Sequence, residues 1–260
     1  MDAPLDIAID GPVQVWTLNL PDQGNAITGA DVIDGLERAV DAVNADVEIR
    51  AVILTGAGRI FSAGGNVREM ADREGMFGLD PIEQRYAYMS GIQRIPRAMA
   101  RLEVPAIAAV NGAAVGAGCD LAMMCDMRVA SERAFFAESF VQLGLIPGDG
   151  GSWFLPRVVG SERAAEMTFT GDRVDAATAL EWGMVGRVVP HDELLPAAHA
   201  LAQRIVRNPG HALRMAKRLL SESRTGSLDS VLSLAAAMQP LAHRSPEHHQ
   251  RIARWSTRSG

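Results

Sequence analysis

The chain has 260 residues, with 31 acidic and 25 basic side chains that give a formal charge of −6 at pH 7. This length is enough to bury a sizeable core. No run of Lys and Arg is longer than two, so a nucleic-acid partner is not expected. No apolar stretch approaches the roughly 20 residues of a membrane span, and residues 1–5 do not resemble a signal peptide. These features predict a globular protein of the cytoplasm without a membrane partner.

The first half of the chain alternates between strand and helix patterns. Residues 13–18 alternate apolar and polar side chains, which predicts a half-buried strand. Thr28 and Asp31 mark the start of a helix, since a hydroxyl and a carboxylate satisfy free N–H groups there. Residues 51–55 form a short apolar run between turn residues. This run predicts a buried strand.

The alternation continues after residue 80. Asp80 followed by Pro81 predicts the start of one long helix toward Glu103, because proline is favourable at the first helical position. Further elements are predicted as a buried strand (106–110), a helix (119–125) and two short strands (126–130 and 134–136). The whole pattern indicates an α/β fold with buried parallel strands.

Beyond about residue 192 the character of the chain changes to helices alone, predicted over 191–207, 211–223 and 227–243. The last of these carries more apolar surface than one solvated helix needs. Packing on the core or on a neighbouring subunit would bury that surface. We therefore predict a core over residues 1–191 and a helical oligomerisation segment over residues 192–260.

Two loops of small residues each follow a strand and precede a helix. The first reads Phe-Ser-Ala-Gly-Gly-Asn-Val-Arg-Glu-Met over residues 61–70, and the second Asn-Gly-Ala-Ala-Val-Gly-Ala-Gly-Cys-Asp over residues 111–120. Glycine lets backbone N–H groups approach a ligand, and a helix N-terminus adds positive partial charge. Each loop alone is compatible with a tight turn or with close helix–sheet packing. Together they can direct two N–H donors at one oxygen, the geometry of an oxyanion hole.

The order of these segments resembles the crotonase family, the enoyl-CoA hydratase/isomerase superfamily. The resemblance covers nearly the whole chain through Asn25-Ala26 and the segments 61–70, 106–126, 143–151 and 180–185. It implies a spiral of ββα turns, followed by C-terminal helices that assemble trimers or dimers of trimers.

The resemblance also implies a binding site for an acyl-CoA thioester. In that site the N–H groups of Gly65 and Ala117 bind the thioester oxygen. The residues implied in binding the CoA or the acyl group, with Arg68 near the phosphates, are Ala26, Ala63, Gly64, Asn66, Val67, Arg68, Gly116 and Phe140.

The acid and base residues are less uniform. In the family's hydratases two glutamates flank the water that adds to the double bond, and their positions here hold Asp120 and Phe140. Phe140 cannot hold or transfer a proton, so Asp120 is predicted as the leading acid/base. Asp149 and Glu138 are further candidates. Their alternative roles are a helix N-cap for Asp149 and, for Glu138, a loop carboxylate in solvent or paired with an arginine.

The predicted function is that of an acyl-CoA enzyme acting through an oxyanion-stabilised thioester enolate, with enoyl-CoA hydratase as the first interpretation. The alternatives are an isomerase, hydrolase or decarboxylase on a less usual acyl group, and, from another class, a non-catalytic acyl-CoA-binding subunit. No cofactor is expected apart from the CoA of the substrate. No metal site is expected, because the six histidines lie outside the matched motifs, and Cys119 and Cys125 fit no zinc or redox spacing.

Overall fold

The computed structural model describes residues 3–256, which contain ten strands and twelve α-helices. The strands in chain order are β1 (Leu5–Asp10), β2 (Val13–Leu18), β3 (Ala51–Gly56), β4 (Ile60–Ser62), β5 (Ala106–Val110), β6 (Ala113–Val115), β7 (Met127–Ser131), β8 (Phe135–Ala137), β9 (Val174–Asp175) and β10 (Arg187–Val189). The helices are α1 (Ala30–Ala45), α2 (Val67–Asp72), α3 (Pro81–Ser90), α4 (Arg94–Arg101), α5 (Ala117–Met124), α6 (Gly151–Val159), α7 (Ser161–Thr170), α8 (Ala176–Glu181), α9 (Leu194–Val206), α10 (Gly210–Glu222), α11 (Leu228–His243) and α12 (Pro246–Ser256).

The strands form two sheets. The larger has the order β1-β2-β3-β5-β7-β10, and the smaller has the order β4-β6-β8-β9. Only the pairs at one end of each sheet, β1 with β2 and β8 with β9, are antiparallel. The other neighbours are parallel, in agreement with the prediction of an α/β fold with buried parallel strands.

Three successive turns of chain repeat one pattern. In each turn a strand of the larger sheet leads to a strand of the smaller sheet and then to a helix: β3, β4 and α2, next β5, β6 and α5, and then β7, β8 and α6. The predicted spiral of ββα turns is thereby confirmed. Its consequence is that the strands β4, β6 and β8 lie side by side, so the loops that follow them share one edge of the smaller sheet.

Successive side chains of the buried strands point to opposite sides of the larger sheet, so they contribute to two layers of the core. On β3, Leu54 faces the main core between the sheets and helices, whereas Ile53 faces the opposite side of the larger sheet. There α9 covers the sheet with Leu194, Ala198 and Ala202. Helix α9 thus packs directly on the sheet, although it begins beyond the predicted division at residue 192.

Several element boundaries differ from the sequence prediction. Helix α1 begins at Ala30 behind Gly29 and has no side-chain cap, so the predicted start at Thr28 was wrong. The single long helix predicted from residue 80 to residue 103 is two helices, α3 and α4, interrupted after Gly91. The strands β4, β6, β9 and β10 and the helices α7, α8 and α12 were not predicted, because short elements and polar helices give weak periodicity. The strand β1 was also missed, although its residues alternate between apolar and polar or small side chains.

The C-terminal helices are attached to the core by charged side chains. Lys217 of α10 donates to the Val104 carbonyl and pairs with Asp126, both at 2.7 Å. Arg214 pairs with Glu103 at 2.7 Å. The stem and ammonium group of Lys217 are largely covered, with 11% of the side chain exposed.

The outer surface of these helices remains apolar in places. The strongly exposed large apolar side chains beyond residue 210 include Leu220, Leu228, Leu232, Leu241 and Ile252. Within residues 3–256 no helix has both the length and the hydropathy that crossing a membrane would require.

Candidate active site

The two predicted loops lie side by side at one edge of the smaller sheet. β4 and β6 are parallel neighbours, so the chain leaves both strands at the same edge. The first loop runs from β4 to Asn66, whose side chain caps α2 by accepting from the Arg68 N–H at 3.1 Å. The second runs from β6 through Gly116, with φ of 53°, into α5. Both helix N-termini therefore point their free N–H groups toward the same region.

Backbone contact between the loops depends on glycine. A Cβ atom on Gly64 would lie 2.6 Å from the Val115 carbonyl oxygen and 2.8 Å from the Ala117 nitrogen, and Gly64 has φ of 81°. A Cβ on Gly118 would meet the backbone and side chain of Ser62 at less than normal contact distance. Side chains at Gly64 and Gly118 would push the loops apart, so the small residues there serve close approach.

Hydrogen bonds from two buried polar side chains hold the first loop in place. Asn25, buried and at φ of 52°, accepts from the Leu20 N–H at 2.9 Å and donates to the carbonyls of Ala57 and Ile60. Ser62 donates to the Asn25 carbonyl and accepts from the Gly64 N–H. The N–H groups of Gly65 and Ala117 are left over, because neither makes a backbone hydrogen bond to another residue in the range 3–256.

These two N–H groups belong to residues of one small cavity, here called the reaction cavity. It has a volume of about 30 Å³, and Gly65, Ala117, Phe140 and Asp149 are among the residues that line it. Most of its other side chains are apolar, namely Met70, Met76, Phe77, Ile92, Leu145 and Ile146. A carboxylate in such surroundings is poorly solvated, and two N–H donors there act with little competition from water.

A second, larger cavity adjoins the first. It has a volume of about 950 Å³ and shares Met70, Phe77, Tyr88, Leu145 and Ile146 with the reaction cavity. Its remaining wall comes mainly from α2, α3 and the start of α4. Together the two cavities provide a narrow end for chemistry and a wide space for a bulky group.

The residues predicted to bind CoA or the acyl group lie around these loops in different environments. Gly64 and Ala26 are buried, and Ala63 and Asn66 are half-buried. Val67 is exposed and lines the larger cavity. Arg68 is exposed on α2.

Gly116 and Phe140 stand in contact across the second loop. A Cβ on Gly116 would lie 3.4 Å from the Phe140 ring, and Phe140 itself lines the reaction cavity. The position that holds a glutamate in the family's hydratases therefore presents an aromatic face to the second loop. This contact leaves no polar group from residue 140 in the reaction cavity.

The three predicted acids are brought together but face different spaces. Asp149 lines the reaction cavity. Asp120 and Glu138 do not line it, are 0% exposed, and lie against each other, with the Cys119 thiol also beside Glu138. The Asp120 carboxyl lies against Gly151, where a Cβ atom would collide with it. Asp120 thus faces α6 and Glu138 instead of the cavity in which it was predicted to act.

The alternative roles considered for Glu138 and Asp149 were wrong. Glu138 is neither in solvent nor paired with an arginine, because it is fully buried after β8. Asp149 does not cap α6, whose N-cap is Gly150 without a side-chain bond. Both positions therefore lack the ordinary structural explanation for an acid.

Burial sets the protonation of this cluster. It raises the pKa of Asp120 well above its usual range, and the negative charge of Glu138 acts in the same direction. Burial also raises the pKa of Glu138 to about 7 and the pKa of Asp149 to about 6, with nearby backbone N–H groups opposing the latter shift. The Asp149 carboxyl is therefore more readily ionised near neutral pH than Glu138, and the raised pKa of Asp120 favours its protonated form.

The segment between α2 and α4 supplies wall residues that the sequence did not identify. Phe77, Tyr88 and Ile92 all line the reaction cavity. Tyr88 and Tyr86 are the two tyrosines of the chain and lie on the same helix. Because they are two residues apart, their side chains point to different faces of the helix. No group of His, Cys, Asp and Glu in the range 3–256 is arranged to hold a metal ion.

The fold is that of the crotonase class of α/β proteins: a ββα spiral in which two loops of small residues and a buried acid line one cavity. A family model described as enoyl-CoA hydratase/isomerase matches residues 9–252. The chain belongs to this family.

Particular relatives carry different activities in their names. A short-chain-enoyl-CoA hydratase of Clostridium acetobutylicum is 37% identical over 225 residues, which cover 86% of this chain and 83% of that protein. A 1,2-epoxyphenylacetyl-CoA isomerase of Escherichia coli is 34% identical over 249 residues, 94% of this chain and 92% of that protein. The crystal structure of an enoyl-CoA hydratase from Bacillus anthracis superposes with a TM-score of 0.90 at 30% identity, over 98% of this chain and 96% of that one.

The buried acid at Glu138 gives a testable dependence of stability on pH. Its pKa of about 7 lies above the ordinary value of 4.5, so the folded state binds a proton that the unfolded state has released between these values. Stability from this group is present at low pH and is lost as pH rises toward 7. Glu138→Gln should flatten the fall in thermal unfolding midpoint between pH 5 and pH 8.

Glu132→Gln changes an exposed glutamate and is the matched control. It should leave the dependence of the unfolding midpoint on pH unchanged. If Glu138→Gln follows the wild-type slope throughout, the Glu138 carboxyl is not held protonated by its burial.

Proposed function

We propose that the protein is an enoyl-CoA hydratase/isomerase that forms a thioester enolate in the reaction cavity and moves protons with Asp149. The observation that carries this proposal is the convergence of Gly65, Ala117 and Asp149 on one narrow cavity. Membership of the enoyl-CoA hydratase/isomerase family supports a CoA thioester as the substrate. No cofactor beyond the CoA of the substrate enters this proposal.

The backbone donors act on the thioester oxygen. When a proton leaves the α-carbon, or when a nucleophile adds to the β-carbon, negative charge collects on that oxygen. The N–H groups of Gly65 and Ala117, rigidly held by the contact at Gly64, stabilise this charge without reorganising. A single donor of this kind lowers a barrier by about 3 kcal/mol.

Asp149 supplies the proton transfer. Its pKa of about 6 leaves it ionised at neutral pH yet basic enough to remove an α-proton whose acidity the two donors raise. The same carboxyl can then return the proton to another carbon of the delocalised enolate. In a 3-enoyl thioester this sequence breaks the C–H bond at C2, forms one at C4 and yields the 2-enoyl thioester.

Isomerisation is the reaction that the geometry supports best, because it needs only one carboxyl in contact with the substrate. Phe140 and the buried Asp120 leave Asp149 as the one acidic side chain among the residues that line the reaction cavity. Hydration is the second candidate. It is favoured by the hydratase names of relatives such as that of Clostridium acetobutylicum, and it requires a water beside Asp149.

The exposed apolar side chains of α10, α11 and α12 support assembly into a homotrimer or a dimer of trimers. For a chain of 27.8 kDa, we expect light scattering to give three or six times the subunit mass. A monomer at micromolar concentration would contradict this assembly.

Asp149→Asn should lower kcat by about 10²- to 10⁴-fold on 3-enoyl-CoA with little change in KM, since the amide cannot accept the α-proton. In the wild type, kcat/KM should fall as pH drops through about 6, because Asp149 becomes protonated there. Both are measured by following formation of the conjugated thioester in the ultraviolet.

The exposed Asp172→Asn serves as the control. A collapse in Asp120→Asn with full activity in Asp149→Asn would move the acid/base role to Asp120.

Phe140→Glu tests the second candidate reaction, hydration. A carboxyl at residue 140 adds a second proton carrier to the reaction cavity, so hydration of crotonyl-CoA should rise by about tenfold or more. Phe140→Gln, which adds polarity without an acid, is the control. A folded Phe140→Glu variant with unchanged hydration would show that residue 140 does not reach the β-carbon.

A further inference from the structure

Tyr88 lies at the boundary between the two cavities and lines both. It occupies the last part of α3, a helix capped by Asp80, which accepts from the N–H groups of Ile82 and Glu83. Its side chain is half-buried. Tyr86, the other tyrosine, lies on the same helix but is 58% exposed and lies beside the guanidinium of Arg85.

The interruption between α3 and α4 fixes Tyr88 relative to Asp149. The Tyr88 carbonyl accepts from the Gln93 N–H at 3.1 Å. The Gln93 side chain in turn donates to the Gly148 carbonyl at 3.0 Å. A Cβ on Gly148 would lie 3.3 Å from the edge of the Tyr88 ring. The phenol therefore packs against the residue that directly precedes Asp149.

The reaction cavity offers few polar side chains besides Asp149. Thr28 and Tyr88 are the two others, and Thr28 turns its methyl group toward Gly65. The titratable groups that face Asp149 are Asp120 of α5, Glu138 after β8 and Tyr88 of α3. Of these, Tyr88 alone lines the reaction cavity. Burial raises the pKa of the Tyr88 phenol, and the negative charge of Asp149 raises it further. Tyr88 therefore stays a neutral donor.

We propose that Tyr88 is a positioning residue that acts through Asp149: its hydroxyl donates a hydrogen bond to the Asp149 carboxylate and holds it ionised and oriented in the reaction cavity. This role rests on the proposed function of Asp149. The hydroxyl makes no hydrogen bond to another residue in the range 3–256, so it is available to donate to Asp149 in the reaction cavity that both residues line.

The test is a carboxyl ¹³C NMR titration of Asp149 in the wild type and in Tyr88→Phe. Removal of a donor to the anion should move the midpoint of the Asp149 titration upward by about one pH unit. The acid limb of the kcat/KM profile on 3-enoyl-CoA should shift by the same amount. We expect kcat to fall about tenfold and KM to change less than twofold.

Tyr86→Phe removes the same oxygen from the exposed tyrosine and should match the wild type in every measurement. Tyr88→Leu, in which both ring and hydroxyl are absent, should reproduce the titration shift of Tyr88→Phe. An unchanged Asp149 titration in both Tyr88 variants overturns the positioning role. Loss of the proposed function is seen separately, as a wild-type protein that turns over no enoyl-CoA.

Discussion

The meeting of two loops at Gly64 is the constraint on which the site depends. The backbone of one loop touches the Val115 carbonyl and the Ala117 nitrogen of the other, at distances that exclude a side chain. Because the contact is made by backbone atoms, the separation of the Gly65 and Ala117 N–H groups is set by packing of the two backbones and not by side-chain rotamers. Asn25 and Ser62 brace the first loop, and the parallel pairing of β4 with β6 brings the loops together.

The protonation of Asp120, Glu138 and Asp149 is governed by the cost of burying charge. An ionised carboxylate in an apolar interior is strongly disfavoured unless it finds donors. Asp120 and Glu138 lie against each other in this interior, so their charges repel and the pair retains at least one proton. A pair that carries at most one charge limits the negative potential at the cavity. Asp149, nearer the cavity and its backbone donors, can then ionise without three charges accumulating in one place.

The sequence predicted the parts of the fold and site that depend on local composition. Small residues before a helix, at 63–66 and 112–117, indicate close backbone approach wherever they occur, and the family resemblance gave their common target. The order of buried strands was predicted for the same reason. The roles of the acids were not predictable in this way, because a carboxylate at Asp120 has the same local sequence whether it faces a cavity or the inside of α6.

The position of Tyr88 was also not predictable from the local sequence. Residues two positions apart on a helix point to different faces, so either Tyr86 or Tyr88 can be the inward one. The choice is made by the break at Gly91 and the bond from Gln93 to Gly148, a contact between segments 55 residues apart. Interactions over such distances leave no periodic trace in the chain, and the apolar pattern of α3 is weak.

Asp149 is only 6% exposed, and this burial affects what happens to the hydrogen that it removes from the substrate. A proton taken from the substrate by a carboxyl that rarely meets solvent stays with the enzyme for the lifetime of the enolate. Phe140, whose ring stands beside the second loop, adds no polar path for exchange. A deuterium placed at C2 of the substrate would therefore reappear at C4 of the same molecule, and the protein would act as a closed carrier of a single hydrogen.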